Sequence, residues 1–183
     1  MGREGEPWEY IGAYEPGVFD RLLPLYKAAV EYLPPPAAAD IVIDLGCGIG
    51  MFTEVLFKAG YTKYIGIDFS PTMINHSKKR VPEAKFMVGD LRDKEIQKII
   101  ASYKIFVSLE VLEHIKNDLG IIAAIPIDSL VVFSVPSFDD ELHVRYFNSE
   151  FEVIERYNKL LKFDKSITIG NVPKRFLFKG IRY

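Results

Sequence analysis

The sequence has a single cysteine and lacks the apolar segments that would direct a chain into or across a membrane. With Cys47 alone, no intramolecular disulfide can form and no zinc site of several thiolates is possible. The opening residues, MGREGEPWEY, are too polar for a signal peptide, and the apolar runs are too short and interrupted for a spanning helix. We therefore expect a cytoplasmic protein without membrane insertion.

The sequence also lacks an excess of charge of either sign. Its 23 basic and 25 acidic residues leave a formal charge of −2. This balance argues against a non-specific hold on nucleic-acid phosphates or anionic lipids, so no nucleic-acid partner is expected. The length of 183 residues and the 49% hydrophobic content predict one domain with a sizeable core. The sequence carries no signal for an oligomeric state.

Short apolar runs alternate with helical patterns along most of the chain. Strands are predicted at 41–45, 64–68, 85–89, 104–109 and 130–135, and helices at 18–33, 50–59, 71–80, 93–101, 117–125 and 149–161. This alternation predicts a parallel sheet with helices on both faces. Only NVP separates the last apolar runs, 165–170 and 174–183, which forces an antiparallel hairpin. We predict an α/β, Rossmann-like sheet of seven mostly parallel strands.

The predicted domain, residues 1–183, divides into three parts. They are an N-terminal helical lid segment (1–36), a ligand-binding core (37–136) and a substrate-side loop, helix and hairpin (137–183). The N-terminal segment is unusually aromatic, with Trp8, Tyr10 and Tyr14 close together. These rings would form a lid over a bound ligand, or alternatively pack the first helix against the sheet.

Glycines recur at 46, 48 and 50 in the segment IVIDLGCGIGMFT, between a predicted strand and a predicted helix. Glycines there allow the backbone to approach a nucleotide closely. The dinucleotide pattern G-x-G-x-x-G fails at Met51, and Asp44 would repel a pyrophosphate, which disfavours a nicotinamide oxidoreductase. Asp44 would attract a cationic nucleoside, and S-adenosylmethionine is such a ligand. Alternatively, Asp44 caps a turn and the glycines only form a tight bend.

Two further acidic residues stand at the ends of predicted strands. Asp68 ends the second strand, at about the distance from the loop where a carboxylate binds a ribose diol. Its other possible role is a helix cap. Asp90 ends the third strand, where it could accept a hydrogen bond from an adenine amino group while the Leu91 N–H reaches a ring nitrogen. The carboxyl ends of successive parallel strands meet at one crevice, so these acids predict one ligand site.

The segments VIDLGCGIGMFT, YIGIDFSPTMI, FMVGDLRD and IFVSLEVLEHI resemble the successive motifs of the class I S-adenosylmethionine-dependent methyltransferases. The resemblance covers residues 40–136 and is greatest to the small-molecule branch with VLEHI after the fourth strand. It implies S-adenosylmethionine as cofactor and a small-molecule acceptor. It also implies cofactor-binding roles for Asp44, Gly46, Gly48, Gly50, Asp68, Phe69, Met73, Asp90, Leu91 and Glu110, with Tyr14 in the lid.

Two histidines are candidates for catalysis. His143 lies in the segment Pro136 to Tyr146, past the fifth strand at the same sheet edge as the expected methyl donor. It could act as a base or orient the acceptor, or the segment could be a packed connection. His114 follows the fourth strand and could equally support the crevice wall. The spacing E-x-x-E-H is not a zinc pattern, so no metal is expected.

Methyl transfer from a sulfonium needs alignment above all, with help from a base only if the nucleophile arrives protonated. A macromolecule methyltransferase is less favoured, because the D/N-P-P-aromatic stretch of amino-methylating enzymes is missing from SLEVLEHI. A non-catalytic S-adenosylmethionine-binding partner or sensor protein is a further alternative. A blocked acceptor pocket would identify such a protein.

Overall fold

The computed structural model describes residues 17–171 and 173–183. The six α-helices in this part of the chain are α1 (Val18–Glu31), α2 (Met51–Lys58), α3 (Pro71–Arg80), α4 (Lys94–Ile100), α5 (Asp118–Ala124) and α6 (Glu150–Tyr157). The seven strands there are β1 (Val42–Leu45), β2 (Tyr64–Asp68), β3 (Lys85–Val88), β4 (Ile105–Leu109), β5 (Leu130–Pro136), β6 (Leu161–Ile169) and β7 (Arg175–Arg182). A short 3₁₀ turn, Leu112–His114, follows β4.

The seven strands form one sheet in the order β3-β2-β1-β4-β5-β7-β6. The first five are parallel, and β7 lies between β5 and β6 and runs antiparallel to both. The predicted mostly parallel sheet with a C-terminal hairpin is thereby confirmed. Because the order reverses at β1 and β4, the carboxyl ends of these two strands border the crevice where open α/β sheets bind ligands.

The two faces of the sheet are buried by separate sets of helices. Along β1, Val42 belongs to an apolar cluster with α1 and α2, whereas Ile43 belongs to a second cluster with α4, α5 and α6. All four residues of β1 are buried, as expected for a parallel strand covered on both sides. The strand ends are thus held in fixed positions relative to one another.

Serine side chains cap the starts of two helices. Ser70 accepts a hydrogen bond from the Met73 N–H and caps α3, with Pro71 in the first turn. Ser149 caps α6 in the same way, through the Glu152 N–H. These caps fix the path of the chain as it leaves β2 and as it enters the helix after β5.

The predicted helix 149–161 is wrong at its C-terminal end. It stops at Tyr157, and β6 begins at Leu161, four residues before the predicted start of the hairpin. Leu161 pairs with Arg182, and the Tyr183 N–H donates to the Leu160 carbonyl. Pairing with the long strand β7 therefore outweighs the helical pattern here, because each paired residue satisfies a backbone group.

Of the helices described, none is both long and apolar enough to span a bilayer. The aromatic residues Trp8, Tyr10 and Tyr14, assigned to the lid, lie outside the described residues.

Candidate active site

A cavity of about 1020 Å³ opens at the carboxyl edge of the parallel strands. Most of the residues predicted from the sequence line it, namely Asp44, Gly46, Gly48, Asp68, Phe69, Met73, Asp90, Leu91, Glu110, His114 and His143. Gly50 is not among the lining residues, and Tyr14 lies outside the described residues. The structure thus gathers eleven residues from separate motifs around one space.

The glycine loop needs glycine for two different reasons. Gly46 has φ +82°, and a Cβ there would lie 2.5 Å from Cγ2 of Val111, so no side chain fits. Gly50 has φ +77°, and a Cβ there would lie 3.0 Å from Cβ of Ser77 in α3. Glycine at position 46 therefore avoids a clash with Val111 at the cavity wall. Glycine at position 50 allows α2 to pack closely against α3. Gly50 is not among the residues that line the cavity, so the structure does not support its predicted contact with the ligand.

Asp44 is buried and does not cap a turn. Its Oδ2 accepts a hydrogen bond of 2.7 Å from the hydroxyl of Tyr64, which is itself 2.7 Å from Oγ1 of Thr53. Burial raises the pKa of Asp44 to about 7, and the nearby Asp68 carboxylate also raises it, whereas the Tyr64 hydrogen bond lowers it. A cationic group in the cavity would favour the ionised form of Asp44.

Asp68 connects two loops at the cavity edge. Its Oδ2 accepts from the Gly48 N–H at 3.0 Å, and its Oδ1 accepts from the Ser70 N–H at 2.9 Å. Burial raises the pKa of Asp68, and these two backbone donors lower it. A carboxylate has about four acceptor sites, so each oxygen can still accept a further hydrogen bond, such as one from a ribose hydroxyl.

The far end of the cavity, beyond Asp68, is partly apolar. Phe69 is 47% exposed there, whereas Met73 and Leu91 are buried. Asp90 is paired with Arg92, whose Nε donates to both carboxylate oxygens at 2.9 and 3.0 Å. This pairing lowers the pKa of Asp90. The Asp90 carboxylate is therefore ionised, and it already pairs with the Arg92 guanidinium.

Glu110 stands at the centre of a hydrogen-bond network that the sequence did not predict. It follows β4 in a left-handed conformation, φ 57°. Ser134 of β5 accepts from its N–H and donates to its Oε1 at 2.8 Å. Arg175 of β7 donates to its Oε2 at 2.7 Å. Arg175 was missed because its contact with Glu110 depends on the placement of β7 beside β5.

The helix α1 forms one wall of the cavity. Val18, Arg21, Leu22 and Tyr26 all line it. These residues were also missed as site residues, although the N-terminal segment 1–36 was predicted to cover the site. The regular spacing of apolar residues in α1 was the available signal.

The two candidate histidines lie side by side at the end of the cavity near β4 and β5. Their ring centroids are 5.0 Å apart in an edge-to-face arrangement. Nδ1 of His114 is 3.0 Å from the Leu142 carbonyl oxygen, and Nδ1 of His143 is 3.1 Å from that of Phe138. Burial lowers the pKa of His114. His143 thus lines the cavity and is also packed against its own loop, and its predicted role as a base or orienting group stays a prediction.

The loop that carries His143 is tied to the segment after β4. The Val144 N–H donates to the Glu113 carbonyl at 2.8 Å. The Arg145 guanidinium donates to the carbonyls of Leu112, Ile115 and Lys116. These contacts hold the loop against the 3₁₀ turn and set the distance between the two histidines.

Glu113 was not predicted as a site residue. Its side chain is fully buried, yet it is among the residues that line the cavity. Burial and the nearby Glu110 carboxylate raise its pKa well above the ordinary value.

Residues 42–125 match a family described as "Methyltransferase domain". This segment is a class I S-adenosylmethionine-dependent methyltransferase domain. The seven-stranded sheet agrees, since it has the Rossmann-like architecture of such methyltransferases. The cofactor of this family, S-adenosylmethionine, fits the lining residues, because the cavity offers a glycine loop and the carboxyl groups of Asp44, Asp68 and Asp90.

Two curated proteins illustrate the similarity in sequence. The ubiquinone biosynthesis O-methyltransferase of Methylobacterium sp. is 34% identical over 87 residues, which cover 46% of this chain and 34% of that enzyme. The chain thus spans about a third of the length of that relative. The protein RP028 of Rickettsia prowazekii is 28% identical over 179 residues, covering 82% of this chain and 70% of that protein.

Among solved structures, the magnesium protoporphyrin IX methyltransferase of Synechocystis with bound S-adenosylhomocysteine has a TM-score of 0.69. Its sequence is 15% identical, and the superposition covers 99% of this chain and 90% of that enzyme. This likeness concerns the fold.

Proposed function

We propose that the chain is an S-adenosylmethionine-dependent methyltransferase that acts on a small molecule. The observation that carries this proposal is the composition of this cavity. One end has the glycine loop and the strand-end acids, and the other end has an open space with polar side chains. A non-catalytic binding protein has no need of such a second space.

The donor end would hold the cofactor through residues of the glycine loop and of the three strand-end motifs. When bound, S-adenosylmethionine supplies a methyl group on a positively charged sulfur. Asp44 faces the cavity as an acid whose ionised form favours an ammonium, and Gly46 leaves the floor free of side-chain atoms. Asp68 holds Gly48 in place and can accept from a ribose. Phe69 and Met73 offer apolar surface for an adenine.

The acceptor end would align the nucleophile with the methyl group. Glu110 is fixed by Arg175 and Ser134, so its position does not depend on the ligand. His114 and His143 are each held through Nδ1 by a backbone carbonyl. Residues fixed in this way can contribute most of the rate through alignment, because the displacement requires the reacting atoms in line.

A small acceptor is favoured by the size of the cavity and by the relatives. Pockets for small ligands have volumes of roughly 300–1,000 Å³, and this one has about 1020 Å³ for both donor and acceptor. The names of the Methylobacterium and Synechocystis relatives refer to ubiquinone and to a porphyrin, which are small molecules. By analogy we assign a small molecule to this chain as well.

Calorimetric titration of the protein with S-adenosylhomocysteine and, separately, with NAD tests the donor half of the proposal. We expect one-to-one binding of the former and much weaker binding of the latter, because Asp44 disfavours a pyrophosphate. Tighter binding of NAD would refute the proposal. Release of S-adenosylhomocysteine during incubation with S-adenosylmethionine and a pool of small hydroxylated and amino compounds tests the transfer itself.

A further inference from the structure

Three potential metal-binding side chains converge at the acceptor end of the cavity. A carboxylate oxygen of Glu113 and one ring nitrogen each of His114 and His143 all lie within 4.8 Å of one another. Nε2 of His114 is 3.9 Å from Oε1 of Glu113. Glu113 and His114 belong to the 3₁₀ turn after β4, whereas His143 comes from the loop after β5. All three line the cavity.

Glu113 lacks a hydrogen-bond partner in the part of the chain that the structure describes. Its side chain is 0% exposed, and among the described residues neither of its carboxylate oxygens has a hydrogen-bond partner. Burial of a carboxyl group without a hydrogen-bond partner is strongly unfavourable. Native structures rarely tolerate such a group unless an ion or water binds it. A cation at the cavity end would supply a partner for this carboxylate.

The two imidazoles are oriented as metal ligands are. A carbonyl oxygen can only accept a hydrogen bond, so the contacts with Leu142 and Phe138 place the ring proton on Nδ1 of each neutral histidine. Nε2 then carries the lone pair. Histidines that bind metals usually donate their other ring N–H to a carbonyl or carboxylate in this way, which fixes both tautomer and ring orientation.

The arginines near Glu113 do not prevent the binding of a cation, because each is paired with another carboxylate. Arg175 binds Glu110 at 2.7 Å, and Arg145 lies 3.4 Å from Asp118. Arg145 also donates to three carbonyls. The carboxyl group of Glu113 is therefore left available to a further cation.

We propose that Glu113, His114 and His143 bind one divalent transition-metal ion at the acceptor end of the cavity. Two imidazoles and one carboxylate favour Zn²⁺, Mn²⁺ or Fe²⁺ over Mg²⁺ or Ca²⁺, which prefer oxygen ligands alone. Two tetrahedral ligand atoms at about 2.1 Å from one ion lie about 3.4 Å apart. The atoms of this cluster lie within 4.8 Å of one another, so the two loops need to approach by at most about 1.4 Å, from 4.8 Å to about 3.4 Å, to bind an ion. Three protein ligands leave open positions, as in catalytic zinc sites.

The ion defines a class of acceptor, an inference that rests on the proposed methyl transfer. An ion with open positions lowers the pKa of a hydroxyl group that binds to it. The hydroxyl would release its proton to water, and the oxygen lone pair would form the bond to the methyl carbon. The carbon–sulfur bond breaks, and its electron pair stays on sulfur. The products are a methyl ether and a neutral thioether, so the acceptor is a hydroxyl compound. The histidines then position the ion and do not act as bases.

Metal binding is tested first without any turnover. EDTA-treated protein is titrated with ZnCl₂ by calorimetry and with CoCl₂ by visible absorption, using the intact chain and the variants Glu113→Gln and His143→Ala. We expect one ion per chain and at least a tenfold loss of affinity in each variant, since even residues that only support metal ligands contribute 10–100-fold. His76→Ala, on α3 and outside the cavity, is the matched control and should bind as the unchanged chain does.

Circular dichroism establishes that the variants are folded, and Glu113→Gln keeps the shape of the side chain. Equal Zn²⁺ affinity in the unchanged chain, Glu113→Gln and His143→Ala would overturn the proposal. Titration with S-adenosylhomocysteine separates the two ideas: if it binds and Zn²⁺ does not, the metal site is wrong and the proposed function stands. If Zn²⁺ binds and the nucleoside does not, the metal site stands and the proposed function is wrong.

The acceptor class has its own test. 3,4-Dihydroxybenzoate, a simple vicinal hydroxyl probe, is added to the Co²⁺-loaded protein in the presence of S-adenosylhomocysteine. A shift of the Co²⁺ absorption bands is expected if hydroxyl groups enter the open positions. An unchanged spectrum would overturn the assignment of a hydroxyl acceptor.

Discussion

The two ends of the cavity are built in different ways. The donor end comes from consecutive strand–loop–helix units between β1 and the loop after β3, and its acids are held by nearby groups such as the Gly48 and Ser70 N–H groups. The acceptor end is assembled from the turn after β4, the loop after β5 and the start of β7. Its contacts join residues far apart in sequence, such as Glu110 and Arg175.

This difference predicts which end tolerates change. A family can keep its donor site as a compact set of local motifs, while loops after β4 and β5 vary with the acceptor. Loops at strand ends often carry function for this reason. The two ends can be tested separately, because variants at one end should change donor affinity and variants at the other should change turnover.

The largest effect is expected at the acceptor end. Replacement of His143 with alanine should lower the rate of S-adenosylhomocysteine formation by about a hundredfold or more, whether the ring holds an ion or takes a proton. Calorimetry should show nearly unchanged affinity for S-adenosylhomocysteine. If turnover per folded molecule stays the same while the melting temperature falls, His143 only packs the loop.

At the donor end, Asp68→Ala should weaken S-adenosylhomocysteine binding by about 1–3 kcal/mol, the scale for lost charge-assisted hydrogen bonds. The variant loses an acceptor for the ribose and releases Gly48 and Ser70. The matched control is Asp68→Asn, which keeps the shape of the side chain but removes its charge. Its affinity for S-adenosylhomocysteine should lie between those of the unchanged chain and Asp68→Ala. An unchanged dissociation constant in a folded Asp68→Ala protein would mean that Asp68 only joins the loops.

A third comparison uses pH. With a pKa of about 7, Asp44 carries a proton in the free protein at pH 6 and must lose it to face an ammonium. Donor affinity should therefore fall as the pH drops from 8 to 6, by at most about tenfold per pH unit. Asp44→Asn should bind more weakly at pH 8 and show a flatter dependence. If donor affinity changed with pH in the same way in the unchanged chain and in Asp44→Asn, a contact between Asp44 and the cofactor would be contradicted.

The smallest effect is expected for Arg92→Gln. Arg92 is largely exposed, and its guanidinium pairs with the Asp90 carboxylate. Its removal should change the affinity for S-adenosylhomocysteine by less than about 1 kcal/mol, the usual range for exposed pairs. A larger loss of affinity would show that Arg92 itself contacts the ligand. A clear gain in affinity would show that Arg92 competes with the adenine for hydrogen bonds to Asp90.

The sequence by itself determined most of the fold and the donor end. Apolar periodicity and the short NVP connection are local signals, and each predicts a local structure that the sheet confirms. The end of α6 was predicted wrongly, because pairing of Leu161 with Arg182 depends on a strand formed later in the chain. The acids at 44, 68 and 90 could be predicted because they lie at or next to the ends of three consecutive strands.

The arrangement of side chains at the acceptor end was determined only by the tertiary structure. Arg175 reaches Glu110 because β7 inserts beside β5, a placement that no local pattern in β7 encodes. Likewise, E-x-x-E-H alone gives no metal site, and the loop after β5 brings His143 within reach of Glu113 and His114. The physical reason is that these contacts depend on distances between loops, and those distances are set by the packing of the whole sheet.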